Sequence, residues 1–142
     1  MAKETIIRAI IDFFGDCPLL IENKDNINAD NLPENSGAFS IETVPCNQTV
    51  KAYIDGSAKK QYLFVFASRQ YFGDNEINLE NSELYENIVD WIEEQNKKGN
   101  LPKLPAPLGA QQLKVVSNGY VIDNDETKAR YQIQCQLLYY KP

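Results

Sequence analysis

Residues 130–140 read Arg-Tyr-Gln-Ile-Gln-Cys-Gln-Leu-Leu-Tyr-Tyr. Tyr131, Ile133, Cys135, Leu137 and Tyr139 alternate with Arg130, Gln132, Gln134 and Gln136. Successive side chains of a strand point to opposite faces, so this stretch is a strand with one apolar face and one amide face. The amide face is either solvated or pairs with a partner's sheet. Working backwards, Gln111 to Ile122 forms a second extended arm, and Asp123-Asn124-Asp125-Glu126 forms the turn between them. The C-terminal unit is therefore a long hairpin, with Lys128 to Tyr140 as its returning arm.

A second hairpin lies upstream. Gln48 to Ile54 and Lys60 to Phe72 are extended segments joined by Asp55-Gly56-Ser57, and Asp-Gly between alternating segments is a strong hairpin signal. Gln61-Tyr62-Leu63-Phe64-Val65-Phe66-Ala67-Ser68-Arg69 is apolar on both faces, which marks a central strand covered on two sides. Ala38 to Val44 alternates Phe39, Ile41 and Thr43 against Ser40, Glu42 and Val44, a strand with one wet face.

Two helices accompany these strands. In Lys3 to Gly15, Ile6, Ile10, Phe13 and Phe14 recur at helical spacing, with Ile7 and Ile11 widening the stripe. That stripe is core, unless the Phe pair is exposed for a partner. Gly15 and Pro18 end the helix. A second helix starts at a cap on Asn81 or Ser82 and runs to about Asn96. Leu84, Ile88, Trp91, Ile92 and Gln95 line its apolar face, Lys97-Lys98 complement the dipole, and Gly99 stops it. Residues 101–108, Leu-Pro-Lys-Leu-Pro-Ala-Pro-Leu, form an extended connector. Asn23 to Gly37 reads as an irregular surface excursion. Its Asp25, Asn26, Asn28, Asp30 and Asn31 do not follow the order of an EF-hand loop, so it does not read as a calcium site.

The expectation is one α+β domain over residues 1–142: a mostly antiparallel sheet with two flanking helices, in the order α-β-β-β-α-β-β. Its 142 residues, 43% of them hydrophobic and 24% charged, suit a globular domain. Net charge −6 argues against nucleic-acid recognition, which needs a basic stripe to displace counterions, and against anionic membranes. No apolar run approaches the length of a membrane span. Cys17, Cys46 and Cys135 match no zinc spacing, and with no leader sequence they read as reduced cytosolic thiols.

Histidine is absent. That removes the commonest general base and every Ser-His-Asp or Cys-His arrangement. No glycine-rich loop opens a helix after a strand, so a phosphate cradle lacks its motif. Glu93 and Glu94 are adjacent and diverge around the helix, so they make no close carboxylate pair. We expect no catalytic residues, no metal and no cofactor. Lys51, Lys59, Lys60, Arg69 and Arg130 are either solvated strand ends or, if their strands are neighbours, a local basic patch.

The stretches 53–57 (Tyr-Ile-Asp-Gly-Ser), 61–69, 99–102 (Gly-Asn-Leu-Pro) and 129–137 (Ala-Arg-Tyr-Gln-Ile-Gln-Cys-Gln-Leu) resemble a family of small prophage proteins of Gram-positive bacteria. Its members are encoded among head and tail genes and are called minor capsid, tail-completion or tail-terminator proteins. Some carry a chloramphenicol-resistance label. The resemblance covers nearly the whole chain. The familiar chloramphenicol acetyltransferase needs a histidine base, which this chain lacks, so that activity is not expected.

The resemblance implies a small α/β fold and a structural role. Such a protein forms a ring, usually a hexamer, on the end of the tail tube, stops polymerisation and offers a head-joining surface. The implied partners are its own copies, the tail-tube protein, and sheath or head-connector proteins. The implied location is the host cytoplasm during assembly and then the head-proximal end of the tail. A head-completion or connector protein is the alternative, and a small enzyme or metal-binding protein is the next. A ring repeats a heterologous contact until it closes, and strand edges and hairpins are natural suppliers of such contacts. The candidate assembly residues are Lys51, Tyr53, Lys59, Lys60, Arg69, Arg130, Gln132, Gln134 and Gln136, on the Lys51–Lys60 and Gln111–Tyr140 hairpins.

Overall fold

Two long strands paired along their full length organise the chain. They are β4 (Ala58–Tyr71) and β6 (Lys128–Lys141), which run antiparallel with Phe64 opposite Cys135 and Phe66 opposite Ile133. The structure, a computed structural model, describes residues 5–20, 27–29, 38–71, 75–124 and 128–142. Around the central pair lie α1 (Ile6–Gly15), β1 (Ile27–Ala29), β2 (Ala38–Val44), β3 (Thr49–Ala52), α2 (Asn75–Lys98) and β5 (Gly109–Asn124). The six-stranded sheet has the order β1-β2-β4-β6-β5, and β3 also pairs with β4. β2 holds the second half of one β4 edge (Val44 opposite Leu63), and β3 holds the first half (Ala52 opposite Ala58). Every pairing is antiparallel except β1 with β2.

The mixed α+β class, the mostly antiparallel sheet and the two helices agree with the sequence reading. The order differs by one strand. Ile27–Ala29, inside the expected irregular excursion, pairs in parallel with Phe39–Ile41, and the Asn28 amide donates to the Phe39 carbonyl at 3.1 Å. Three residues are too few to show a period, and their partner lies across a gap of chain, so no local signal announces them. The rest of the Asn23–Gly37 excursion, Lys3 in the first helix, and Asp125 and Glu126 of the last turn lie outside the described residues.

The core lies between one face of the sheet and both helices. Ile10 and Phe14 of α1 and Ile88 and Ile92 of α2 are sealed against Phe39, Ile41, Phe64, Phe66, Ile133, Cys135 and Leu137. Phe14 stacks on Phe66 (centroids 4.6 Å apart) and meets Phe64 edge-on at 6.1 Å. Phe13 is also buried and rests on Trp91 at 4.9 Å, so the Phe pair is core and not an exposed surface. On the other sheet face, Ser40, Val65 and Ala67 are buried too, paired side by side with Glu42, Gln132 and Gln134. β4 is thus central as expected, but both helices lie on one face, and on the other Val65 and Ala67 are buried among side chains of the sheet itself.

The helix ends show local chemistry. Thr5 caps α1 by accepting from the Arg8 N–H at 3.3 Å. α2 starts at Asn75, before the expected cap at Asn81 or Ser82, and Asn81 is buried within it. A cap preference of about 1 kcal/mol does not stop a helix that is already under way upstream. At the other end Gly99 has φ +75°, its N–H donates to the Asn96 carbonyl at 3.2 Å, and Asn100 N–H donates to the Gln95 carbonyl at 2.9 Å. This pair of bonds is a Schellman motif, and its left-handed residue favours glycine.

Candidate functional site

The candidate cations fall into two groups at opposite ends of β4, Tyr53 stands at the tip of the hairpin, and Gln132, Gln134 and Gln136 run along the middle of β4 on its partner strand β6. Lys51 stands directly opposite Lys59 across the β3–β4 pairing, and Thr49 stands opposite Lys60. Arg69 stands opposite Arg130 across β4 and β6. Lys59 and Arg69 are ten positions apart on one strand, roughly 33 Å at a rise of about 3.3 Å per residue. The five cations therefore do not make one basic patch, although their strands are neighbours. The side chain of Arg69 lies outside the described residues.

The side chains of Arg130, Gln132 and Gln136 are occupied with their own sheet. Arg130 Nη2 donates to Glu42 Oε2 at 2.8 Å, and its Nε donates to Gln132 Oε1 at 3.2 Å. Gln136 Nε2 donates to Gln61 Oε1 at 2.7 Å, and Gln61 Nε2 donates in turn to the Asn47 carbonyl at 2.7 Å. The Gln134 N–H donates to Ser117 Oγ at 3.3 Å. Gln132, Gln134 and Gln136 are half-buried. The side-chain contacts tie β2, β4 and β6 together on one face, so Arg130, Gln132 and Gln136 form a lateral brace.

The Lys51–Lys60 hairpin is different. β3 ends at Ala52, earlier than the expected Ile54, and residues 53–57 form the turn. The Tyr53 N–H donates to the Ser57 carbonyl at 2.9 Å, and the Gly56 N–H donates to the Tyr53 carbonyl at 3.1 Å. Asp55 Oδ1 accepts from both the Ser57 N–H, at 3.0 Å, and the Ser57 hydroxyl. These bonds hold the Asp55 carboxyl below its ordinary range. Gly56 takes φ +91°, which suits glycine at this corner. The fixed turn leaves Ile54 fully exposed, with Val50 and Tyr53 also exposed beside it. Lys51 Nζ lies 5.5 Å from the centre of the Tyr53 ring.

Ile54 and Val50 were missed by sequence reasoning. Ile54 was read as a strand end, yet it stands next to Asp-Gly at a turn position where a polar residue is usual. That mismatch was the available signal. A second feature was also missed. An open groove of about 410 Å³ lies between α1, α2 and residues 100–103, floored by Phe13, Trp91, Leu101 and Pro102.

The titratable groups of the interior serve packing. Burial pushes the Cys135 thiol up to about 12, and it raises the Cys17 thiol as well. Burial also raises the Tyr85 phenol, which donates to the Tyr131 carbonyl at 3.2 Å and pairs with the Ser68 hydroxyl. Among the described residues no group of three His, Cys, Asp or Glu side chains is placed to hold a metal ion, and no helix is long and apolar enough to cross a membrane. No family model matches the chain, and no curated protein matches it.

Proposed function

We propose that this chain is a virion assembly protein that works without catalysis, as a tail terminator that caps the end of a tail tube as a ring, stops its growth and offers a head-joining surface. The observation that carries the reading is the β3–β4 hairpin, which holds the apolar Ile54 fully exposed on a turn fixed by its own hydrogen bonds. Val50 and Tyr53 are exposed beside it, and exposed apolar side chains grouped on one surface, unlike single ones, mark contact surfaces. The resemblance of the sequence to prophage tail-terminator proteins supplies the kind of partner. Its own copies, the tail-tube protein and a sheath or head connector are then the contacts, first in the host cytoplasm and later at the head-proximal end of the tail.

Deleting the gene from its prophage tests the reading. A terminator's loss gives abnormally long tails. Normal, detached tails beside leaking heads would instead mean a head-completion or connector protein.

A further inference from the structure

The hairpin and the groove are two different surfaces on one chain, and they complement each other. The hairpin extends the sheet, whereas the groove opens on the helix layer. The hairpin tip is apolar at Val50, Tyr53 and Ile54. Between Thr49 and Lys60 it carries Lys51, Lys59 and Lys60 against the single carboxylate of Asp55, a basic segment in a chain of net charge −6. Among the described residues none of these lysines joins an ion pair.

The groove has the opposite character. Its floor is aromatic and aliphatic, from Phe13 and Trp91 to Leu101 and Pro102. Its charged rim is Asp12 and Asp16 against Lys103, and both aspartates are exposed. A void of roughly 150 Å³ takes a benzene-sized group. The groove, at about 410 Å³, has room for more than one side chain. Aromatic floors with a polar rim are the usual make-up of the centre of a protein contact.

We propose that the β3–β4 hairpin of one copy seats Ile54 and Tyr53 in the α1–α2 groove of the next copy, with Lys51 and Lys59 against Asp12 and Asp16. The occupant is a second copy of this chain. It rests on the ring reading above, and the sign of the charge on the two surfaces supports it. The contact is heterologous, because the patch given differs from the patch received, and repetition of such a contact closes into a ring when the rotation allows.

Sedimentation equilibrium of the purified full chain, without tail tube, over a range of concentration and salt tests this. The wild-type chain is expected to self-associate, more weakly at high salt. Ile54→Asp changes only an exposed side chain and should weaken association about tenfold or more. The charge variants Lys51→Glu with Lys59→Glu and Asp12→Lys with Asp16→Lys should each associate poorly alone. Mixed, they should associate, because every hairpin then meets a groove of opposite sign. Circular dichroism confirms that each variant is folded. A wild-type chain that stays monomeric throughout, an Ile54→Asp chain that associates like the wild type, or a mixture no better than its components would overturn the contact. If the variants still cap tail tubes as the wild type does, this contact falls while the terminator reading stands. If the contact holds but tubes are never capped, that reading falls alone.

Discussion

The side-chain amide of Asn96 does for Leu113 what a neighbouring strand would do. The Leu113 N–H donates to Asn96 Oδ1 at 2.8 Å, and Asn96 Nδ2 donates to the Leu113 carbonyl. Leu113 lies on β5, the outer strand of the sheet, where such groups would otherwise be left to water or to another chain. The second proton of Asn96 Nδ2 goes to the Ile92 carbonyl at 3.0 Å, inside α2. One residue thereby ties the last turns of the helix to the sheet edge.

Asn96→Ala should cost about 1–3 kcal/mol, because it leaves part-buried backbone groups without partners. Urea unfolding followed by fluorescence checks this. A loss below about 0.5 kcal/mol, the usual size for a neutral surface change, would show that the clamp is not holding.

Ser68 and Tyr85 form a buried hydroxyl pair between β4 and α2. The Tyr85 proton goes to the Tyr131 carbonyl, so Ser68 supplies the proton between the two hydroxyls. Tyr85→Phe should destabilise by about 1–3 kcal/mol, since it strands the Ser68 hydroxyl. Ser68→Ala with Tyr85→Phe should cost less than the sum of the single changes by about 0.5 kcal/mol or more. Strictly additive values in this double-mutant cycle would mean the pair is not coupled.

The three thiols differ in access. Cys17 and Cys135 are buried, and their raised pKa values keep them protonated, whereas Cys46 is half-buried. In native buffer a thiol reagent should label Cys46 first and leave the other two until the chain unfolds. Mass spectrometry of the labelled peptides reads this directly. Native-rate labelling of Cys135 would contradict the core described above.

The Asp55–Ser57 turn has its own pH signature. Because its folded-state pKa is depressed, Asp55 supports the turn fully above the unfolded value of about 3.9, and that support fades as the pH falls through the folded value. An NMR titration should place the Asp55 midpoint below that of an unstructured aspartate. Ser57→Ala should move it upward, since the Ser57 hydroxyl is the main cause of the depression. An unmoved midpoint would show that the turn is not held this way.

Much of the fold was legible because it is written in local periods. Alternation marks β6, a run apolar on both faces marks β4, and helical spacing marks α1 and the core face of α2. Tyr85 escaped that reading of α2 although it is buried, because its hydroxyl finds Ser68 and Tyr131, both remote in sequence. β1 escaped because three residues show no period. The glutamine row was visible as residues, but Gln61, which accepts from Gln136, and Glu42, which accepts from Arg130 at the end of the row, sit on other strands, so sequence could not tell a brace from an open surface. Whether the five cations were solvated strand ends or one patch stayed open, because neighbouring strands alone do not fix how far apart residues lie along them. Ile54 and the groove of Phe13 and Trp91 became visible only once the turn and the helix pair were placed.

The central claim is that copies of this chain act together at the end of a tail tube. Electron microscopy of tail-tube protein polymerising with and without the purified chain tests it most directly. The account predicts shorter tubes in its presence, each carrying a ring of extra density at one end. Tubes of unchanged length with bare ends would contradict it.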